Sequence, residues 1–223
     1  MLLVSLILAM LSLPVPQSQP VEREKQTPPI FFRWDNPHYD ATYGRNRAAA
    51  DSLVQLLKRI GPDSIEYVEF TAFASPEGVY ERNQQLSRLR TAEVRWLIRK
   101  NYPEFSSKLR IRPGGEGWTL LRPRIAADKR MTAKSKNRIL SILDNTGTSD
   151  ETRKWRLSHR LGSDPKVGDL WQYILRVHYP HARSCVVTVR FFAEPGSALA
   201  SVGTAVERTD SQNYIPAEKD EAI

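Results

Sequence analysis

Apolar positions change their spacing several times along the chain, and each change marks an element. Ile30-Phe31-Phe32-Arg33-Trp34-Asp35 alternates as a half-buried strand. Ala49, Leu53, Leu56, Leu57 and Ile60 then fall on one side of a helix over Ala48 to Ile60, which Gly61-Pro62 stops. Ile65 to Ala74 reads as a second strand that breaks at Ser75-Pro76. Ser75 suits a helix N-cap and Pro76 the first helical position, where a missing amide hydrogen costs no bond. The helix runs from about Val79 to Lys100 and ends at Tyr102-Pro103. Lys108 to Arg112 is a third strand leading into Pro113-Gly114-Gly115, and Ser184 to Ala193 is the last clear strand.

Between the third strand and the last lies an insertion, Trp118 to His181. A compact domain rarely holds a structureless connection of that length, so the segment is expected to be helical. Ile125 to Leu143 is one candidate helix, stopped by Asp144-Asn145-Thr146-Gly147, and Glu151 to Leu161 is a second. Asp164-Pro165 is expected to cap a third, with Val167, Leu170, Trp171, Ile174, Leu175 and His178 along one face and Tyr179-Pro180 at its end. At the N-terminus, Met1 to Leu13 is apolar apart from two serines and too short to span a membrane. Residues 1–18 are therefore expected to be a signal peptide and 19–29 a polar lead-in. The domain proper is assigned to 30–196, with its insertion at about 118–181, and the polar, aperiodic residues 197–223 to a disordered tail. The mature chain is expected to carry no transmembrane segment.

Composition limits what such a chain can be. Its 223 residues, 40% hydrophobic and 26% charged, suffice for one sizeable core with an elaboration. The net charge is +8, and the stretch Arg122 to Arg160, with eleven Lys or Arg against four acids, supplies a surplus of seven. In an exported protein such a surface meets glycan or stem-peptide carboxylates, lipid headgroups or an acidic protein, or it is simply a solvated pair of helix faces. It lacks the aromatic interleaving of a nucleic-acid reader. Cys185 is the only cysteine and lies in a strand, which predicts a buried, inert thiol. The four histidines have no spacing that holds a metal. No nucleophile and base, paired acids or metal site can be assembled, so neither an enzyme nor a cofactor is expected.

The most informative run is Phe70-Thr71-Ala72-Phe73-Ala74-Ser75-Pro76-Glu77-Gly78, followed by a helix carrying Asn83, Leu86, Ser87 and Arg90. Arg90 falls inside the apolar face of that helix, where an unpaired charge is expensive. Either it pairs with Glu93 or another carboxylate, or it waits at a pocket for an anionic ligand that its planar fork can grip. The strand, turn, glycine and N-x-x-L-S-x-x-R order resembles the peptidoglycan-associating domain of the OmpA family. The resemblance covers roughly Ile30 to Gly117 and the final strand.

It implies an α+β fold, a two-layer β-α-β-α-β-(helical insertion)-β sandwich. By the same resemblance, Arg90 grips a stem-peptide carboxylate of peptidoglycan, with Asn83, Ser75, Glu77 and Gly78 completing the site. The family places an aspartate in the turn to take the ligand's ammonium group, and here Ser75 stands at that position. Two functions follow, the first the leading reading and the second its alternative, beside a less favoured third, a periplasmic module for another anion. One is a non-catalytic envelope protein binding peptidoglycan at the periplasmic side of the outer membrane. The other is an OmpA-like scaffold that has lost murein binding and acts through contacts with envelope proteins.

Overall fold

The computed structural model describes residues 20–193 and 197–202, so the expected signal peptide and most of the expected tail lie outside the described residues. The fold is α+β, with helices packed on a mixed sheet. In chain order the first half comprises β1 (Val21–Gln26), β2 (Ile30–Phe31), α1 (Asn46–Ile60), β3 (Ile65–Ala74), α2 (Tyr80–Asn101) and β4 (Leu109–Glu116). The insertion holds α3 (Trp118–Ala127), α4 (Ala133–Leu143), α5 (Asp150–Arg160), the two-residue strands β5 (Ser163–Asp164) and β6 (Gly168–Asp169), α6 (Leu170–Val177) and α7 (Tyr179–Ala182). Strand β7 (Ser184–Ala193) then returns to the main sheet.

The sheet order is β1-β7-β3-β4, with β2 pairing β7 as well. β3 and β4 are parallel and every other pair in this sheet is antiparallel. Inward residues Val68, Phe70 and Ala72 of β3 meet Cys185, Val187, Val189 and Phe191 of β7 beneath Leu53, Leu57 and Ile60 of α1 and Val94 and Ile98 of α2. Ile65 also points into this core, three positions before Val68, because the register against β7 shifts between Ile65 and Tyr67. The Cys185 thiol is fully buried, and burial pushes its pKa above the usual thiol range. A second core is built within the insertion from Leu121, Ile125, Ile139, Leu157, Leu170 and Ile174, among others.

Several boundaries differ from the sequence pattern. The polar lead-in contains a strand, β1, whose alternation is invisible because most of its side chains face solvent. Ladder bonds to β7 and ion pairs from Arg190 to Glu22 (2.8 Å) and Glu24 (3.2 Å) hold it. The strand expected over Ile30 to Asp35 ends at Phe31. There the Asn46 side chain takes the Phe31 amide at 2.8 Å and donates to the Phe31 carbonyl at 2.8 Å, standing in for a neighbouring strand.

Helix α2 is capped at Val79 and not Ser75. The single helix expected over Ile125 to Leu143 is broken, because Asp128 bonds the Arg130 amide and Thr132 caps α4. Asp169, not Asp164, caps α6, and Pro180 lies within α7. Asp164 instead accepts the Lys166 amide and, with its other oxygen, the Thr132 amide and hydroxyl. Of the expected disordered tail, Ser197 to Val202 is described: it contains a 3-10 turn, and Leu199 and Val202 pack against the main core.

Candidate functional site

The turn Ser75–Gly78 leaves the end of β3 and meets the insertion. Ser75 is buried, and its hydroxyl donates to Glu77 Oε1 at 2.7 Å. Arg183, just before β7, reaches the same oxygen at 3.4 Å. Asn83, one turn into α2, donates to Glu116 Oε1 at 2.8 Å, while Trp118 donates to Glu116 Oε2 at 3.0 Å. The ammonium of Lys154 on α5 closes the group. It lies 2.6 Å from Glu116, 3.0 Å from Glu151 and 3.0 Å from the carbonyl of Gly78. Burial opposes the charge of Lys154, but the bonds to Glu116 and Glu151 hold its pKa above the usual lysine range.

This arrangement fastens the insertion to the sheet. Gly117 contributes by its size: a Cβ there would meet the Ala182 carbonyl oxygen at 3.0 Å. The hydroxyl of Ser87 likewise joins α2 to two strands, donating to the Ala72 carbonyl and accepting from the Gly115 amide, each at 2.8 Å. The glycine run after the third strand thus serves contacts within the chain. Tyr179 is fully buried beside this cluster, and its hydroxyl pKa is raised by burial first and then by the charges of Glu77 and Glu116.

Arg90 is fully buried and makes its hydrogen bonds outside this group. Its guanidinium donates to the carbonyls of Phe73 (2.9 Å), Arg33 (3.1 Å) and Asn36 (3.1 Å) and lies 5.0 Å over the Phe32 ring. Burial, and next the charge of Arg183, lowers its pKa to about 9, which leaves it protonated at neutral pH. The pairing with Glu93, one of the two alternatives read from the sequence, is not formed. Glu93 accepts from the Tyr39 amide and faces His38. Of the five site residues expected from sequence, Ser75, Glu77, Gly78 and Asn83 therefore surround one junction, while Arg90 staples the loop before α1. Glu116 and Lys154 were missed as site residues. One was hidden in the glycine run and the other in the basic surplus.

Several of the basic side chains of the Arg122 to Arg160 stretch are held within the molecule. Arg122 pairs with Asp144 at 2.6 Å, Arg130 with Asp128 at 3.1 Å, and Arg153 with Asp150. Arg138 and Lys136 donate to the carbonyls of Leu161 and Ala126. Beside the junction runs an open groove of about 960 Å³, with Gly78, Val79, Tyr80 and Glu81 on one side. Asp150, Glu151, Lys154 and Trp155 of α5 and Trp171 of α6 line the rest. Among the described residues no cluster of three or more His, Cys, Asp or Glu could hold a metal ion, and no helix is long and apolar enough to cross a membrane. No protein-family model matches the chain, and no curated protein matches it significantly.

Proposed function

We propose that the chain is a non-catalytic cell-envelope module on an OmpA-like frame, exported to the periplasm and acting through protein contacts in envelope or surface-structure assembly. The β-α-β-α-β order with a late returning strand, and the N-x-x-L-S-x-x-R run on α2, support the OmpA-like assignment. One observation carries the choice of a scaffold over a murein binder. The guanidinium of Arg90, which a murein ligand would need, is spent on three main-chain carbonyls inside the protein. Ser75 adds to this, since its hydroxyl cannot supply a countercharge and is already donated to Glu77. The competing reading, peptidoglycan binding through Arg90, requires the guanidinium to exchange those carbonyls for a ligand carboxylate.

Co-sedimentation of the full chain with purified murein sacculi, at low and moderate salt, separates the two. The scaffold reading expects the protein to stay in the supernatant at moderate salt. Sedimentation that persists at moderate salt and is lost in a folded Arg90→Ala variant would overturn it and restore Arg90, Asn83 and the Ser75 to Gly78 turn as a ligand site.

A further inference from the structure

The apolar face that α2 turns to the sheet is not its only one. Leu89, Ala92 and Trp96 recur at three- and four-residue spacing on the opposite side, where Leu89 is 41% exposed and Trp96 52%. Cations flank them. The side chains of Arg88, Arg95 and Arg99 have no ion-pair or hydrogen-bond partner among the described residues, and the Lys100 ammonium lies 4.8 Å over the Trp96 ring. The acid within this run, Glu93, is turned aside, accepting the Tyr39 amide at 3.4 Å and facing His38 at 3.6 Å. The last turn of α1, with Lys58 and Arg59, adjoins the same surface: the Lys58 ammonium lies 5.4 Å over the ring of Tyr102, the residue that caps α2.

Complementing the helix dipoles accounts for cations in a last turn. It does not account for Arg88 and Arg95 farther up α2, nor for a half-exposed tryptophan and leucine among them. Arg88 and Arg99 stand about 16 Å apart along the axis, farther than one small anion reaches, and the cations lie on two neighbouring helices and not along a line. Such an array matches an extended negative surface and not a discrete ligand. Unpaired, flexible cations around an exposed tryptophan are the side chains that an anionic bilayer takes up. The ring settles at the headgroup level, the leucine enters below it, and the Arg and Lys heads stay with the phosphates. We propose that this face of α2, with the end of α1, docks the protein peripherally on an anionic lipid surface. Attachment of this kind needs no spanning helix, and none is present among the described residues. Arg90, on the buried side of α2, takes no part in it, so the docking face is independent of the choice between scaffold and murein binder.

Co-sedimentation of the full chain with lipid vesicles tests this. Phosphatidylcholine vesicles should leave the protein in the supernatant. Vesicles with phosphatidylglycerol as roughly one lipid in three should carry it down at about 0.1 M salt, and less so at about 0.3 M, where exposed charges are more strongly screened. One basic residue at an anionic surface is worth about a factor of five, so Arg88→Glu with Arg99→Glu should lower the partition coefficient roughly 25-fold or more. Trp96→Ala should lower it several-fold, and Trp96→Tyr, which keeps an interfacial ring, should restore most of it. Each substituted side chain stands on the exposed face, so the circular dichroism should not change.

Equal partitioning on neutral and anionic vesicles would overturn the proposal, assigning the binding to apolar contact alone, the run Met1 to Leu13 included. No partitioning on anionic vesicles would overturn it as well, and so would partitioning that neither the charge reversals nor Trp96→Ala reduces. Self-association abolished by the charge reversals, in place of vesicle binding, would make a second copy the occupant. Capture of a glutamate-rich peptide in place of vesicles would make the occupant an acidic protein. Either result would remove the lipid assignment.

Discussion

A guanidinium can stay charged inside a protein without a carboxylate partner when enough carbonyl dipoles converge on it, and three do so at Arg90. The carbonyls belong to separate parts of the chain. Phe73 lies in β3, one residue before its end, whereas Arg33 and Asn36 lie in the loop that carries the chain from β2 towards α1. Arg90 therefore fixes that loop to the sheet. Removing it in Arg90→Ala leaves the carbonyls without a donor and opens a cavity over Phe32, with an expected loss of roughly 3–5 kcal/mol. Arg90→Lys keeps the charge but not the planar fork that reaches all three acceptors, so an intermediate loss is expected. Chemical denaturation should show a lower midpoint at unchanged slope. If Arg90→Ala matches the parent within about 0.5 kcal/mol, the guanidinium is not a staple and is free for a ligand.

At the level of elements, the insertion is attached through Lys154 of α5 and Glu116 of β4, both nearly buried. Removing one partner of such a pair strands the other charge, so Lys154→Ala should cost roughly 3 kcal/mol, while Lys154→Met with Glu116→Gln should recover much of that loss. Thermal melts of the single and double variants would measure it, and additive losses would argue against direct coupling. Elements whose apolar spacing is set by the core were legible in the sequence. β3 and β7 lie where their buried alternation puts them, and α1 and α2 follow Leu53, Leu57, Val94 and Ile98. β1 was not legible because an exposed edge strand of Glu, Arg and Lys carries no period, and its pairing depends on Arg190, far along the chain. The break between α3 and α4 was missed because Asp128 and Thr132 act through local side-chain bonds that a helical wheel does not register. The site was legible in part. The Ser75 to Gly78 turn and Asn83 do meet, but their partner Lys154 comes from an insertion whose packing no local pattern encodes.

The molecule as a whole joins two cores, one under the sheet and one inside the insertion, and the second contains an acid-sensitive group. His178 is buried with Nε2 3.0 Å from Asp128, whose carboxyl also accepts bonds from Tyr173 at 2.6 Å and Arg130 at 3.1 Å. Burial would raise the Asp128 pKa, but the bonds from Arg130 and Tyr173 hold it well below the usual carboxylate range. Burial lowers His178 to about 4; Asp128 opposes this, and Arg124 and Arg130 reinforce it. His181, stacked edge-on against Phe31, is lowered to about 2, again by burial first and then by Arg124. In the unfolded chain both rings take a proton near pH 6.5, whereas the folded chain holds them neutral. The unfolded state thus binds more protons below that pH, and stability must fall as pH drops from about 6.5 towards 4. His178 alone accounts for a loss on the order of 3 kcal/mol over that window. Replacing it in His178→Phe keeps a ring in the site and removes one titration. The variant should lose stability with acid about half as steeply between roughly pH 6 and 4, as measured by urea denaturation across that range. An unchanged slope would mean that His178 takes up its proton without unfolding, and that the insertion core opens to water at that side.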